Sequence, residues 1–238
     1  MPPLRPSVHI TSAGCRLGMR DMAPFMPGLI MFGLAVGAAF AQKGMSTAET
    51  ALSSAVVFAG LAQMVALEGW TSNWTVPSLL AVGLITFTVN LRHLLMGAAM
   101  RPWLAPLPPA RSYPLLLLMS DNNWAASMRY HAQGGSDAGH FLGAGLLTWV
   151  VWLLSTVCGQ VIGGGLPDPR AVGFDLVMPA FFVAMLVPNW RGRREAVSWS
   201  VAGTVAVAVS YVLPGWWFIM IGALSGAVAG GFVDDRRA

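Results

Sequence analysis

Hydrophobic stretches of about twenty residues recur along nearly the whole chain and alternate with short polar, proline-rich or glycine-rich stretches. A helix of about 20 apolar residues crosses the roughly 30 Å hydrocarbon core of a bilayer. The pattern predicts about eight transmembrane helices, hereafter segments one to eight, at residues 22–42, 47–70, 76–100, 113–130, 141–163, 172–187, 196–213 and 216–233. The predicted fold class is therefore all-α, a polytopic integral membrane helix bundle.

Composition supports a membrane setting. The chain is 55% hydrophobic and only 10% charged, with a mean hydropathy of +0.63, whereas about a quarter of a soluble domain is charged. It carries a net charge of +4, but its basic residues stand singly or in short loop clusters and form no basic face. Nucleic acid is therefore excluded as a partner.

The distribution of basic residues predicts the topology. We expect a cytoplasmic tail over residues 1–21, a transmembrane permease domain over 22–233 and a second cytoplasmic tail over 234–238. Arginines concentrate in the segments that are then cytoplasmic, which follows the positive-inside rule and puts both termini inside a cell inner (plasma) membrane. The basic start and the apolar run after it resemble a signal peptide, but the run is too long, and we expect a retained helix.

Segment four is the weakest span, because its apolar run is short before polar residues begin at Ser120. It carries Asp121, followed one helical turn later by Trp124. The carboxylate would be ionised in a wet cavity, where it could meet an ammonium group, or protonated and able to shuttle a proton. Alternatively, segment four is re-entrant with Asp121 at water, and the orientation of everything after it inverts.

Segment three carries Thr86, Asn90, His93 and Gly97 at spacings that place them on one stripe, while Arg92 points to a different side. An ionisable group near the bilayer centre costs from about 3 to more than 10 kcal/mol, so each needs a reason. The stripe is interpreted as a pathway-facing surface on which His93 titrates. The alternative is that Asn90 and His93 bond neighbouring helices and Arg92 snorkels to the interface.

Two more segments carry candidate polar sites. In segment two, Gln63 follows Gly60 and could hydrogen-bond either a partner helix or a polar substrate. In segment six, Asp175 lies near the start of the helix, and Pro179 has no N–H to give the carbonyl of Asp175. A helix break at Pro179 would leave backbone oxygen free beside the carboxylate, as in many transporters. A structural N-terminal role for Asp175 is the alternative.

The chain resembles the AzlC/YgaZ family of branched-chain amino-acid exporters from about Phe25 to Gly230. The resemblance rests on motifs that follow one another along the chain: Pro27-Gly28 with Phe32-Gly33, Phe58-Ala59-Gly60 with Gln63, Asn90-Leu91-Arg92-His93, Asp121 with Trp124, Trp152 with Gly159, and Gly173-Phe174-Asp175 with Pro179-Ala180-Phe181-Phe182. It implies export of branched-chain or similar apolar amino acids driven by protons, together with a small AzlD/YgaH-like membrane subunit. The family often has a second acid after the aspartate of segment four, where this chain has Asn122.

The transporter hypothesis assigns roles to these residues. Substrate would meet Gly60, Gln63, Asn90, Asp121 and Trp124, and the coupling proton would be carried by His93, Asp121 or Asp175. No metal or cofactor is expected, since the four histidines show no metal-ligand spacing.

Two other classes stay open from the sequence. A membrane-embedded enzyme would need a nucleophile with a base, or paired acids such as Asp121 and Asp175, but no protease-like motif surrounds either aspartate. Ser225 beside Gly226 is more simply a packing position. A passive channel or a scaffold subunit would favour symmetric rings of charge, which the scattered polar residues do not suggest.

Overall fold

A computed structural model of the protein describes residues 8–68, 70, 75–165, 176, 183, 193–213 and 217–235. The chain divides into two compact units, Met1–Met178 and Pro179–Ala238. The first contains α1 (Ser12–Met22), a 3₁₀ turn (Ala23–Phe25), α2 (Met26–Gln42), α3 (Thr47–Val57), α4 (Gly60–Glu68), α5 (Val76–Asn90), α6 (Arg92–Leu104), α7 (Pro109–Leu117), α8 (Asp121–Ala132) and α9 (Gly139–Gly164). The second contains α10 (Arg193–Val212) and α11 (Trp217–Asp235).

Three helical stretches of the described chain are long and apolar enough to cross a membrane: Ser12–Gln42, Val76–Leu104 and Gly139–Gly164. They contain segments one, three and five. Shorter apolar helices at Ala196–Val212 and Ile221–Val233 match segments seven and eight. Segment six lies outside the described residues apart from positions 176 and 183. The predicted all-α membrane helix bundle is confirmed.

The helix of segment one begins at Ser12, ten residues before the predicted start at Met22. Thr11 caps it by accepting a hydrogen bond from the backbone N–H of Gly14 at 3.0 Å. Gly14, Gly18 and Met22 are buried. Charged residues lower the mean hydropathy of this stretch, so hydropathy did not predict it as a helix. It is an amphipathic helix with a narrow face of small residues.

Close helix packing forms the centre of the first unit. A Cβ atom at Gly33 or Gly37 would collide with Ser155 or with the backbone at Thr156. On the facing helix, Gly143 and Gly159 lie against the backbone of Cys15 and Leu34. This small-residue seam, defined by Gly18, Gly33, Gly37, Gly143 and Gly159, lets α1 and α2 approach α9 at backbone distance.

Segment two is broken, so the prediction of one helix over 47–70 was wrong. Helix α3 ends at Val57, Phe58 takes the left-handed conformation (φ 38°, ψ 40°), and α4 begins at Gly60. That conformation costs a non-glycine residue about 1–2 kcal/mol, and burial of the Phe58 side chain offsets the strain. The indole N–H of Trp149 donates to the carbonyl of Ala55 at 3.0 Å and so satisfies a helix-end acceptor.

Segment four is also two helices, so the prediction of one continuous helix over 113–130 was wrong. Helices α7 and α8 have 9 and 12 residues, too few for either to cross the bilayer alone. Asn123 fixes the junction, since its side chain accepts from the N–H of Ser120 and donates to the carbonyl of Leu118. Asp121 is thus the first residue of α8, where the helix dipole favours a carboxylate.

Segment three is interrupted more gently. Helix α5 ends at Asn90 and α6 begins at Arg92. At the junction, the N–H of Leu91 bonds the carbonyl of Thr88, three residues back instead of four, at 3.3 Å. The local tightening changes the direction in which side chains leave the helix on either side of Leu91.

The second unit, taken by itself, is a helix pair. The glycines at positions 222, 226 and 230 of α11 lie against Ala206, Ala202 and Ser198 of α10. The glycine stripe of segment eight is therefore a helix-packing face, as its spacing predicts.

Candidate substrate site

Gln63 lies at the break in segment two and is 3% exposed. Its side-chain amide donates to Ser53 Oγ at 3.1 Å and to Ser54 Oγ at 3.3 Å, and its carbonyl oxygen accepts from the indole of Trp152 at 3.2 Å. These four residues form the Gln63 cluster. Gln63 is therefore bonded to its own segment and to α9, which is the partner-helix alternative left open by the sequence.

Gly60 supports the same cluster. A Cβ atom there would lie 2.6 Å from the Trp152 ring and 2.8 Å from the Phe32 ring. Those two rings are tilted against each other with centroids 5.3 Å apart. In the structure, Gly60 makes room for this aromatic pair beside the break.

A second cluster forms where the junctions of segments three and four meet. The guanidinium of Arg92 lies 3.0 Å from the carboxylate of Asp121, and the two side chains are 33% and 40% exposed. The charge of Arg92 is therefore paired with Asp121, and the alternative that Arg92 snorkels to the interface stays a prediction. Both groups are ionisable residues in predicted spans, so the cost of leaving either unpaired predicts a partner for each without saying which.

The other predicted residues lie close to this ion pair along the chain, since Asn90 and His93 flank Arg92 and Trp124 follows Asp121 by one turn. His93 Nδ1 contacts the backbone oxygen of Asn90 at 3.2 Å, and the indole of Trp124 donates to the carbonyl of Met96 at 3.1 Å. Asn90, Arg92, His93, Ser120, Asp121 and Trp124 are hereafter the Arg92–Asp121 cluster.

The predicted site residues thus fall into two groups. Gly60 and Gln63 lie in one, and Asn90, His93, Asp121 and Trp124 lie in the other. Among the described residues, no hydrogen bond joins the two groups. Asp175 and Pro179 lie outside the described residues, so their roles stay predictions.

His140 is a buried polar residue that the sequence reasoning missed. It is fully buried, with Nε2 at 3.0 Å from the Asp21 carboxylate and Nδ1 at 3.0 Å from the hydroxyl of Ser127. Its ring stacks on Tyr130 at a centroid distance of 4.3 Å. Asp21 had been assigned to a tail, and only its place at the end of α1 brings it to α9.

No group of three or more His, Cys, Asp and Glu side chains in the described ranges could hold a metal ion. A pocket of about 480 Å³ lies at the end of α6, lined by residues that include Arg101, Trp103 and His131. None of the described site residues lines it, so it is separate from both clusters.

Comparisons with known proteins agree with the resemblance. The sequence model of the AzlC family, described as AzlC protein, matches residues 24–166. The chain is 24% identical over 198 residues to the "Branched-chain amino acid transport protein AzlC" of Bacillus subtilis, covering 83% of this chain and 76% of that protein. It is 27% identical over 224 residues to an "Uncharacterized membrane protein" of Archaeoglobus fulgidus, covering 92% and 93%.

No solved structure matches the chain significantly. The family match covers more than half of the 238 residues and includes both clusters. The chain therefore belongs to the AzlC family.

Proposed function

We propose that the protein is the large subunit of a secondary transporter in the cell inner membrane that exports branched-chain or similar apolar amino acids. Export is driven by the proton gradient and requires a small AzlD/YgaH-like membrane subunit. The protein crosses the membrane several times, α7 and α8 together form the crossing of segment four, and both termini lie in the cytoplasm. The name of the Bacillus subtilis relative supports the substrate class, and the positive-inside rule supports the orientation.

One structural observation carries the proposal: polar groups gather at helix breaks within a membrane bundle. Segments two, three and four are interrupted at Phe58, at Leu91 and between Leu117 and Asp121. Non-helical backbone at membrane depth is tolerated where it is buried in protein or lines a cavity, and many transporters build their substrate sites at such breaks. In this scheme His93, Asp121 and Asp175 are the candidates for carrying the coupling proton.

Efflux measurements test this function directly. Cells that express the chain with the small membrane protein are expected to export labelled leucine, isoleucine or valine when a proton gradient is present. Cells that express either protein alone are not expected to export them. A protonophore should abolish accumulation in sealed vesicles. If the pair exports none of these amino acids, the proposed function is wrong.

The coupling assignment has its own test. Asp121→Asn, Asp175→Asn and His93→Ala are compared for flux with and without a pH gradient. At least one variant is expected to transport without responding to the gradient. If all three keep full proton-coupled flux, the proton is carried elsewhere.

A hydrolase is the second function that a specific observation raises. Ser127, His140 and Asp21 lie in hydrogen-bonded order, an arrangement that serine hydrolases use. However, Ser127 and His140 are both 0% exposed, so an acyl group has no route to the hydroxyl. The arrangement favours a structural bridge between α1, α8 and α9. Labelling of Ser127 by a fluorophosphonate probe would support the hydrolase instead.

A further inference from the structure

The unsatisfied polar atoms of the structure are concentrated at one place. Four buried side-chain N or O atoms in the described residues have no hydrogen-bond partner: Thr50 Oγ1, Asn90 Oδ1, Arg92 Nε and Ser120 Oγ. Three of the four belong to the Arg92–Asp121 cluster. Leaving a buried polar group unpaired costs about 1–3 kcal/mol. Asn90 Oδ1 and Arg92 Nε, on either side of Leu91, therefore indicate groups kept for a ligand, and Ser120, which stands in a capping box at the start of α8, keeps a hydroxyl proton to donate.

The chemistry of these atoms is complementary to a zwitterion. Arg92 Nε and the Ser120 hydroxyl can donate to a carboxylate, and a guanidinium binds a carboxylate through two parallel N–H bonds. Asn90 Oδ1 is an acceptor, as is the Asp121 carboxylate, and both suit an ammonium group. Donors and acceptors for both ends of an α-amino acid therefore lie within two positions, along the chain, of the two members of one ion pair.

We propose that the Arg92–Asp121 ion pair opens to bind the α-carboxylate and the α-ammonium of the transported amino acid. This rests on the proposed function and assigns the recognition of its substrate. Arg92 and Ser120 bind the carboxylate, while Asp121 and Asn90 bind the ammonium. One ion pair is exchanged for two, and the net charge of the site is zero before and after binding. That neutrality avoids the cost of an uncompensated charge in a low-dielectric site.

The surroundings suit an apolar side chain on the bound amino acid. Trp124 follows Asp121 by one turn of α8, and its indole is anchored to the carbonyl of Met96. Met96 is 9% exposed and belongs to an apolar cluster with Met100 and Trp103. A branched aliphatic side chain would lie against this surface once its charged ends are bound.

Competition with singly charged analogues tests the proposal. Proteoliposomes containing the chain and its small partner are assayed for binding of labelled L-leucine. Leucinol, which lacks the carboxylate, and 4-methylpentanoate, which lacks the ammonium, are the competitors. In the wild-type protein, both are expected to bind at least about thirtyfold more weakly than leucine, because each loses one charge-assisted contact.

Variants of Arg92 and Asp121 should separately change the recognition of the carboxylate and of the ammonium group. Arg92→Gln is expected to weaken leucine binding by at least about thirtyfold. Leucinol, which lacks the carboxylate, should bind this variant as tightly as the wild type or more tightly. Asp121→Asn should also weaken leucine binding, but it should leave the binding of 4-methylpentanoate, which lacks the ammonium, as tight as in the wild type or tighter. Arg101→Gln, on the same helix but outside the cluster, is the matched control and should bind leucine normally.

A charge swap separates recognition from folding. The double variant Arg92→Asp with Asp121→Arg can restore the ion pair and hence thermal stability. It reverses the polarity of the site against the fixed positions of Asn90 and Ser120, so leucine binding should stay at least about tenfold weaker than in the wild type.

The outcomes distinguish the two proposals. Wild-type leucine affinity in Arg92→Gln, equal losses of leucine and leucinol in that variant, or full binding by the charge swap would each overturn the zwitterion assignment and leave the transport function standing. A wild-type complex that binds and carries no amino acid would overturn both.

Discussion

The small-residue seam and the Arg92–Asp121 cluster lie in the same unit but differ in how their helices pack and in whether their polar groups are paired. Along the seam, Gly33 and Gly37 bring backbones together, and the neighbouring polar side chains, such as Thr156 and Ser155, bond to their own helix. At the cluster, helices are interrupted and three buried polar atoms lack a partner. The seam stabilises the fold, whereas the proposed substrate site at the cluster keeps unpaired polar groups that cost stability.

The contrast teaches where change can be tolerated. Packing at backbone distance leaves no room for an added side chain, so substitutions in the seam should prevent the protein from folding. Substitutions in a cluster with unsatisfied groups should abolish activity while the protein stays folded. The Arg92 and Asp121 variants described above test the cluster. Four further substitutions, ordered from the largest expected effect to the smallest, test the positions on which the fold depends.

Gly37→Leu should abolish the folded protein, because its side chain would enter the space held by the Thr156 and Gln160 backbone. Yield of monodisperse protein after detergent extraction is the measurement. Gly28→Leu on the same helix is the control, since no packing partner among the described residues lies within 4 Å of a Cβ built there. Equal yields from both variants would show that the seam is not the stabilising interface.

His140→Ala should lower the free energy of unfolding by about 3 kcal/mol, since it removes a buried ring and leaves Asp21 and Ser127 without their partner. Thermal unfolding in detergent measures the loss. Ser127→Ala removes one hydrogen bond and should cost about 1 kcal/mol. A larger effect in Ser127→Ala than in His140→Ala would contradict the bridging role of the imidazole.

Gln63→Leu should lower stability by about 2 kcal/mol, because it leaves the Trp152 indole and two serine hydroxyls unpaired. A double-mutant cycle with Trp152→Phe isolates the bond between the two side chains. The double variant should be more stable than the sum of the single losses predicts by about 1 kcal/mol. Strict additivity would mean that Gln63 is free to serve substrate instead of the fold.

Asp137→Asn should have the smallest effect and a distinct pH dependence. Burial alone would raise the pKa of Asp137, but hydrogen bonds from the Thr11 hydroxyl and from the N–H groups of Gly139, Thr11 and Gly14 outweigh it and hold the pKa below its usual value. A carboxyl with a lowered folded pKa contributes its full stability above the unfolded pKa of about 3.9 and loses it as the pH falls through the folded pKa.

The stability difference between wild type and Asp137→Asn should therefore be about 1 kcal/mol at pH 7 and should close below about pH 4. Thermal unfolding across that range measures it. A difference that is constant with pH would show that the carboxylate charge plays no part in tying the start of α1 to the start of α9.

Hydropathy was sufficient to predict the long helices of segments one, three and five, because a membrane helix is defined by a run of apolar residues. The breaks in segments two and four could not be predicted this way. Phe58 is a poor candidate for a left-handed residue, and the Leu118–Ser120 junction has neither proline nor glycine. Both are stabilised by distant side chains or by a local asparagine that hydropathy does not weigh.

The candidate residues were predictable one by one, but their partners were not. Asp121 and Asn90 were identified because polar groups are costly in a membrane. That Arg92 pairs with Asp121 depends on how α6 and α8 meet, which no periodicity within either helix gives. The same reason hid Asp21, whose partner His140 lies more than one hundred positions later in the sequence.

The seam also sets the order in which the protein can mature. Helix α2 ends at Gln42 and its partner α9 begins at Gly139, so about a hundred residues must be translated between them, which takes roughly 5–20 seconds at ribosomal speed. Until then, the glycine face of α2 has no α9 to meet. The core of the first unit is therefore closed only after segments two to four have left the ribosome, and insertion must protect that face in the meantime.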